Sequence, residues 1–422
     1  MSETLPSLPE HLEYRLELAR HVTPRLLKQQ PVHRWFYFPH SFSPQLVEML
    51  LDEWRLPEGA VVLDPFVGAG TTLYVAAQRG YNALGTDLSP LAVLVSNAKV
   101  RTYDAIQVQQ AARAVMETAG RDETVDLTRS ERLRRAFTDA EFAILSRLRQ
   151  AILTQPGPVR DLLTLALFQV QRRVSRAVPD GGWFRWVERE DQPDIILPAF
   201  SDATERIIND LEHALYRRPS VCEALQHDAR YLESLQSSYP RLKNSLQAVI
   251  TSPPYPNRHD YTRIFQIELL TLGMSEEEIF ALRYAALRSN VEARSPEQAL
   301  PPFHPPARLT DTLNALPDDA DERIEPMLRG YFEDLNAVLH SIWQVLSPGG
   351  YVALVVGNVR HAGVMVPVDE ILLALGESLG YRPLTSWVAR LRGNSAQQMG
   401  RYGREPARES IVRLQKPERP HH

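Results

Sequence analysis

Cysteine is almost missing from this chain: Cys222 is the only one in 422 residues. That excludes an internal disulfide framework and any multi-cysteine metal site. No apolar run approaches the roughly 18 residues of a membrane-spanning helix. The N-terminal residues mix acids with apolar side chains where a leader would be basic and then apolar. A cytoplasmic protein with no membrane partner is expected. An excess of positive charge is also lacking, since the formal net charge is −5. This rules out a uniformly basic nucleic-acid coat and leaves room for local basic patches, which are what phosphate contact needs. Internal repeats are absent. What remains is an ordinary globular composition, 44% hydrophobic and 23% charged, long enough for one large domain or two to three smaller ones.

The order of hydrophobic patterns points to an α/β fold. Residues 1–58 read as a helical lead-in, with Pro39 and Pro44 bracketing a loop and a helix over Gln45–Trp54. Ala60–Phe66 reads as a buried strand running into glycines, Thr72–Arg79 as a helix, Asn82–Asp87 as a second strand and Pro90–Lys99 as a second helix. Strand, glycine turn, helix, strand opens a parallel sheet. Residues 101–220 change character to long amphipathic helical stretches without strand alternation, which predicts a helical insertion. Strand patterns return at Val221–Asp228 and Leu246–Ser252, then at Tyr351–Asn358, Thr385–Ala389 and Glu409–Leu414. Residues 289–326 are polar and proline-rich and read as an extended loop, followed by helices over Tyr331–Val345 and Pro367–Leu379. The expected architecture is a doubly wound, seven-stranded mixed sheet. Residues 1–100 and 221–422 form its two halves, 101–220 is inserted between them, and 256–330 or the insertion supplies target recognition.

The turn Asp64-Pro65-Phe66-Val67-Gly68-Ala69-Gly70-Thr71-Thr72 lies where the first of these strands hands over to its helix. Glycines there let the main chain approach a ligand, and the helix N-terminus offers unpaired amides. The third glycine of the dinucleotide fingerprint is missing, and so is the Gly-Lys-Ser/Thr of a phosphate-binding loop. Asp87, followed by Leu88, ends the second strand, where a carboxylate can accept both hydroxyls of a ribose. A cap on the helix that starts at Pro90 is the plainer alternative for Asp87. Together, turn and acid indicate an adenosine-type cofactor.

Thr251-Ser252-Pro253-Pro254-Tyr255 ends another strand. Two successive prolines hold the main chain stiff and lack N–H groups, so their carbonyls are open to a ligand amine. Ser252 adds a hydroxyl acceptor and Tyr255 a flat aromatic face. These groups suit gripping an exocyclic amine by both hydrogens while its ring is stacked, leaving the nitrogen lone pair free to attack a methyl sulfonium directly. A rigid turn with a packed tyrosine is the bland alternative.

With these motifs the chain resembles the amino-methyltransferases of bacterial DNA modification systems, in which D-P-F-x-G-x-G holds S-adenosylmethionine and the tetrapeptide Ser-Pro-Pro-Tyr, preceded here by Thr251, carries the transfer. Asp260-Tyr261 resembles a following R-D-Y, with His259 in place of the arginine. The segment from Phe38 to Pro44, including Phe42, resembles one that closes over the cofactor's methionine end, and Asp228-Ala229 falls where the family places an acid near the adenine N6. The resemblance covers most of 31–100 and 221–415. It implies a cofactor site of Phe42, Asp64, Pro65, Phe66, Gly68, Gly70, Thr71, Thr72, Asp87, Leu88, Asp228 and Ala229, a catalytic set of Ser252, Pro253, Pro254 and Tyr255, and no metal. The serine form of the tetrapeptide is similar to N4-cytosine members. Adenine N6, a guanine N2 in RNA, and a catalytically silent nucleic-acid-binding module stay open as alternatives.

DNA is the implied partner, with a cognate restriction endonuclease or defence-system protein as a further candidate; the oligomeric state is left open. A base stacked in a duplex cannot reach such a pocket, so a flipped nucleotide is expected. Candidate DNA contacts are Asn257, Arg258, Tyr261 and Arg263 after the catalytic strand, and Arg392, Asn394, Gln397, Gln398 and Arg401 in the cation- and amide-rich stretch between the last two strands. A further patch, Arg172, Arg173 and Arg176 with Trp183, Phe184, Arg185 and Trp186, reads more readily as core.

Overall fold

The computed structural model describes all residues except 1–6, 40, 122, 123, 125, 127, 181, 182, 212–220, 240–244, 258, 259, 394–405 and 419–422. Its central sheet comprises β1 (Leu12–Tyr14), β2 (Val61–Asp64), β3 (Asn82–Asp87), β4 (Cys222–Gln226), β5 (Leu246–Thr251), β6 (Tyr351–Gly357), β7 (Arg382–Pro383), β8 (Ser386–Arg392) and β9 (Ala407–Gln415). The strand order is β1-β8-β9-β6-β5-β2-β3-β4, with β7 beside β9. All seven strands anticipated from the sequence are present. The additions are β1, which pairs parallel to β8, and the two-residue β7.

β2, β3, β4, β5 and β6 run parallel, whereas β9 is antiparallel to both β6 and β8. From β2 the chain winds outward to β3 and β4, then returns to the other side of β2 through β5 and β6. The direction of winding therefore reverses between β2 and β5, and in such sheets the crevice beyond the strand ends at that reversal is where ligands bind.

Both faces are covered, so successive strand residues enter different cores. Val62 and Ile250 pack with α1 (Pro44–Trp54), α2 (Thr71–Gln78) and α3 (Pro90–Val100); Leu63 and Val249 pack on the opposite face. The insertion supplies α4 (Ala105–Ala119), α5 (Asp139–Leu153), α6 (Gly157–Val174) and α7 (Ile196–Leu211). Asp104 caps α4, and Thr138 with Glu141 forms a reciprocal capping box on α5. Phe168 and Phe200 of the insertion share the core of α1–α3, so this block buttresses one face of the sheet. Among the described residues, a hairpin departs from the helical expectation, Ala177–Asp180 with Trp183–Trp186. The far face carries α8 (Ile324–Val345) and α9 (Val368–Ser378).

Three expectations shift. The lead-in before α1 consists of short 3-10 turns and β1. The proline-rich 289–326 stretch contains a helix, Ala307–Asn314, and α8 begins at Ile324, ahead of the expected Tyr331. Pro326 is tolerated there because amides in the first helical turn have no intrahelical acceptor. Among the described residues no helix is long and apolar enough to cross a membrane.

Candidate active site

The cleft at the winding reversal encloses about 1130 Å³ of empty space, open solvent included. Its floor is the turn after β2. Gly68 and Gly70 have φ of +42° and +74°, which favours glycine at both positions. Gly70 also lets α2 pass α3, since a Cβ there would lie 2.9 Å from the Ser96 main chain. Phe66, Gly68 and Thr71 line the cleft together with Pro65. Gly70 and Thr72 do not. Thr72 is fully buried and donates to the Ile250 carbonyl at 3.1 Å, tying α2 to the catalytic strand.

Two acids face this space, Asp64 buried and Asp87 half-buried. Asp87 accepts from the Gly68 amide at 3.2 Å and from the Ser89 amide at 2.9 Å, so it braces the glycine turn and the start of α3 while lining the cleft. Asp64 accepts from the Thr251 hydroxyl at 2.6 Å and the Phe66 amide at 3.2 Å. Burial, with no cation beside either group, pushes both carboxyls up to about 6. Leu88, Asp228 and Ala229 complete one wall. Asp228 is held by Arg230 at 2.7 Å, and Arg230 reaches Asp334 of α8 at 3.2 Å. Phe38, Ser41 and Phe42 form the opposite lip, where the Ser41 and Thr71 hydroxyls stand 3.3 Å apart. Lys99, fully buried, donates to the carbonyls of Phe36 and Ala69 and so joins that lip to the glycine turn. Burial lowers its ammonium to about 7.

β5 delivers the Ser252–Tyr255 motif to the same place. The Ser252 hydroxyl donates to the Val355 carbonyl of β6 at 3.0 Å, which spends its proton on the sheet and leaves its oxygen as an acceptor. Pro254 lines the cofactor cleft, and Pro253 is buried and lines neither cavity. Tyr255 faces a second cavity of about 870 Å³, open solvent included. Its ring lies against Gly357, where a Cβ would come within 2.7 Å, and its hydroxyl donates to Glu409 at 3.3 Å. Burial pushes the Tyr255 phenol well up. Ser41, Phe42, Ser252 and Tyr261 belong to both cavities, which therefore meet at Ser252.

The anticipated DNA contacts separate into three groups. Asn257, Tyr261 and Arg392 line the second cavity. Arg263 is instead tied into a network with Asp260 at 2.9 Å and with Glu292. Arg258, Asn394, Gln397, Gln398 and Arg401 lie outside the described residues. In the insertion, Arg172 pairs with Glu268 at 2.6 Å and lies 4.1 Å over Phe36, and Arg176 pairs with Glu141 and Asp191. Trp186 is covered by Arg135 at 4.1 Å. Packing is the role these side chains show.

Sequence reasoning missed Glu409, which lines the second cavity with Arg390 of the anticipated contact stretch, and Lys99. It also missed that the 256–330 stretch roofs the cofactor cleft through Phe265, Leu269, Leu282 and Leu287.

Comparison with known proteins bears on the same residues. The family described as DNA methylase matches residues 18–97, which hold the glycine turn and Asp87. The Type II methyltransferase M.BsoBI of Geobacillus stearothermophilus is 28% identical, across 92% of this chain and 86% of its own length. The Type II methyltransferase M.AvaI of Nostoc sp. is also 28% identical, across 92% of this chain and 87% of its own. Among solved structures, the rRNA methyltransferase aviRa of Streptomyces viridochromogenes aligns with 92% of this chain at 12% identity and a TM-score of 0.33, and the fold assignment rests on the strand order rather than on that likeness. The family match and the Type II relatives support the resemblance to bacterial DNA amino-methyltransferases that the motifs carry.

Proposed function

We propose that this enzyme methylates the N4 amine of a cytosine flipped out of DNA. Fold and family imply S-adenosylmethionine as methyl donor. The cleft suits it: Asp87 is a half-buried carboxylate lining the cleft, and each of its oxygens, already accepting one amide, has a lone pair left for a ribose hydroxyl. Asp228 and the Ala229 amide would meet the adenine, with Phe42 over the methionine end. When bound, the donor supplies an electrophilic methyl on a sulfonium.

The observation that carries the reading is the meeting of two cavities at Ser252, one suited to an adenosine cofactor and the other bordered by the Tyr255 ring and the candidate DNA contacts Asn257 and Arg392. Ser252, its proton already given to Val355, accepts a hydrogen of the target amine, while Pro253, buried and lining neither cavity, holds the motif stiff. The amine lone pair would then be free to take a methyl group from the donor when it is bound. Pre-placement of this acceptor by β5 and β6 is what lowers the barrier. A serine at the first position of the tetrapeptide supports cytosine over adenine. Asn257 and Tyr261 make the 256–330 region the nearer of the two candidate recognition regions, and a cognate endonuclease fits the Type II relatives.

The test is mass spectrometry of nucleosides from DNA of diverse sequence incubated with the protein and S-adenosylmethionine. N4-methylcytosine is expected. N6-methyladenine would correct the base, and methylation of RNA alone would overturn the reading.

A further inference from the structure

The cavity beyond Ser252 has a charged wall that methyl transfer itself does not require. Arg390 and Arg392 stand two residues apart on β8, so both side chains leave the sheet on one face. Both line this cavity together with Glu409 of β9. Arg390 is the cross-strand partner of Glu409 and donates to one of its carboxylate oxygens at 3.3 Å. The other oxygen accepts from Tyr255 at 3.3 Å. Glu409 is 5% exposed, and with both oxygens engaged it is occupied with holding its neighbours. Arg392 is placed differently. Its Nη2 lies 3.4 Å from where a Cβ on Gly357 would stand, the same spot that the Tyr255 ring approaches. No hydrogen bond or ion pair to a described residue engages its guanidinium. Arg392 is thus a planar double donor beside the aromatic face, lining the same cavity as Ser252.

The edge chemistry of the bases then decides what fits. Next to its amine, cytosine carries two acceptors in succession, N3 and the O2 carbonyl. Adenine carries N1 and then a C–H. With the amine held at Ser252, a cavity lined by three guanidiniums (Arg25, Arg390 and Arg392) and one satisfied carboxylate offers donors to the rest of the ring edge, and the Arg392 fork, the one placed beside the Tyr255 ring, matches two adjacent acceptors.

We propose that Arg392 reads the N3–O2 edge of the target base in a bidentate contact and so sets the preference for a pyrimidine, while Glu409 is a positioning residue that acts through Arg390 and Tyr255. This rests on the N4-cytosine reading above.

The test is a cycle of two changes. Once the modified site is located by sequencing, the target cytosine in a duplex is replaced by 3-deazacytosine, which keeps the amine and O2 but loses the N3 acceptor. The protein carries Arg392→Ala or Arg392→Lys. The expected loss in kcat/KM for either single change is roughly 10- to 100-fold, with little further loss when they are combined. Arg392→Lys falls between wild type and Arg392→Ala, and S-adenosylmethionine binding by calorimetry is unchanged, which reports an intact fold. Glu409→Gln raises KM for the duplex more than it lowers kcat. Additive losses would make Arg392 a phosphate contact and overturn the proposal, as would no loss in Arg392→Ala. An adenine product from the wild-type protein overturns the cytosine reading instead, so the two failures are distinct.

Discussion

The Thr251 hydroxyl donates to the Asp64 carboxylate at 2.6 Å, joining the last residue of the catalytic strand β5 to the last residue of the cofactor strand β2. The two strands are neighbours at the winding reversal, so one hydrogen bond ties the floor of the cleft to the Ser-Pro-Pro-Tyr motif. Thr251→Val removes this donor from a fully buried acid. The expected cost is about 1–3 kcal/mol of stability by chemical denaturation, with the Asp64 carboxyl pushed up further, whereas Thr251→Ser retains the bond. Equal stability of the valine and serine variants would refute the link.

Ser252→Ala keeps the strand and removes the acceptor. Turnover should fall on the order of 10- to 100-fold while S-adenosylmethionine affinity stays unchanged. A variant that loses cofactor binding along with turnover would show that Ser252 serves the cleft rather than the base.

Gly357→Ala places a methyl group 2.7 Å from the Tyr255 ring. The ring must move, and a displacement of about 1 Å at the base costs roughly 100-fold in kcat/KM for DNA. Cofactor binding, read separately by calorimetry, should survive. Full activity in this variant would remove Tyr255 from the base-binding surface.

Cofactor binding should weaken in acid. Asp87 is pushed up to about 6 from 3.8 by burial, and its ionised form is the one that accepts two hydroxyls. Affinity for S-adenosylmethionine therefore falls as pH drops through about 6, and Asp87→Asn flattens that dependence. Stability runs the other way. Because the folded carboxyl holds its proton more tightly than the unfolded one, its contribution is complete below the unfolded value and is lost as pH rises through about 6. Titrations from about pH 5 to pH 8 check both signs. A pH-independent affinity would exclude Asp87 from the ribose site.

Arg172 distinguishes packing from nucleic-acid contact in the insertion. Glu268, its partner at 2.6 Å, has a side chain only 5% exposed, so Arg172→Ala strands a buried charge and should cost about 3 kcal/mol. Arg173, which is exposed, should be neutral on replacement. Reduced DNA affinity in Arg172→Ala at unaltered stability would instead mark a phosphate contact.

The sheet was readable because its strands are buried on both faces and end in unusual chemistry. Val61–Asp64 runs into glycines, Leu246–Thr251 into prolines, and neither pattern suits a helix. The walls contributed by Phe265, Leu269 and Leu282 were not readable, since short helices with ordinary amphipathic spacing carry no mark of which ligand they cover. Glu409 and Arg390 became a pair only through the register of β8 on β9, and strand pairing across a long connection leaves no local signal. Arg263 misled because a cation next to a catalytic motif looks the same whether it meets DNA or, as here, Asp260 and Glu292.

β1 lies parallel along β8 and occupies what would otherwise be the outer border of the sheet. Leu12, Glu13 and Tyr14 pair in register with Ser386, Trp387 and Val388, and Trp387 is further covered by the guanidiniums of Arg15 and Arg413. Without that short cover, β8 would present unpaired amides and carbonyls beside a large aromatic surface, the template on which a second chain adds edge to edge. The three residues of β1 are remote from the chemistry, and their loss would be felt first as self-association at high concentration.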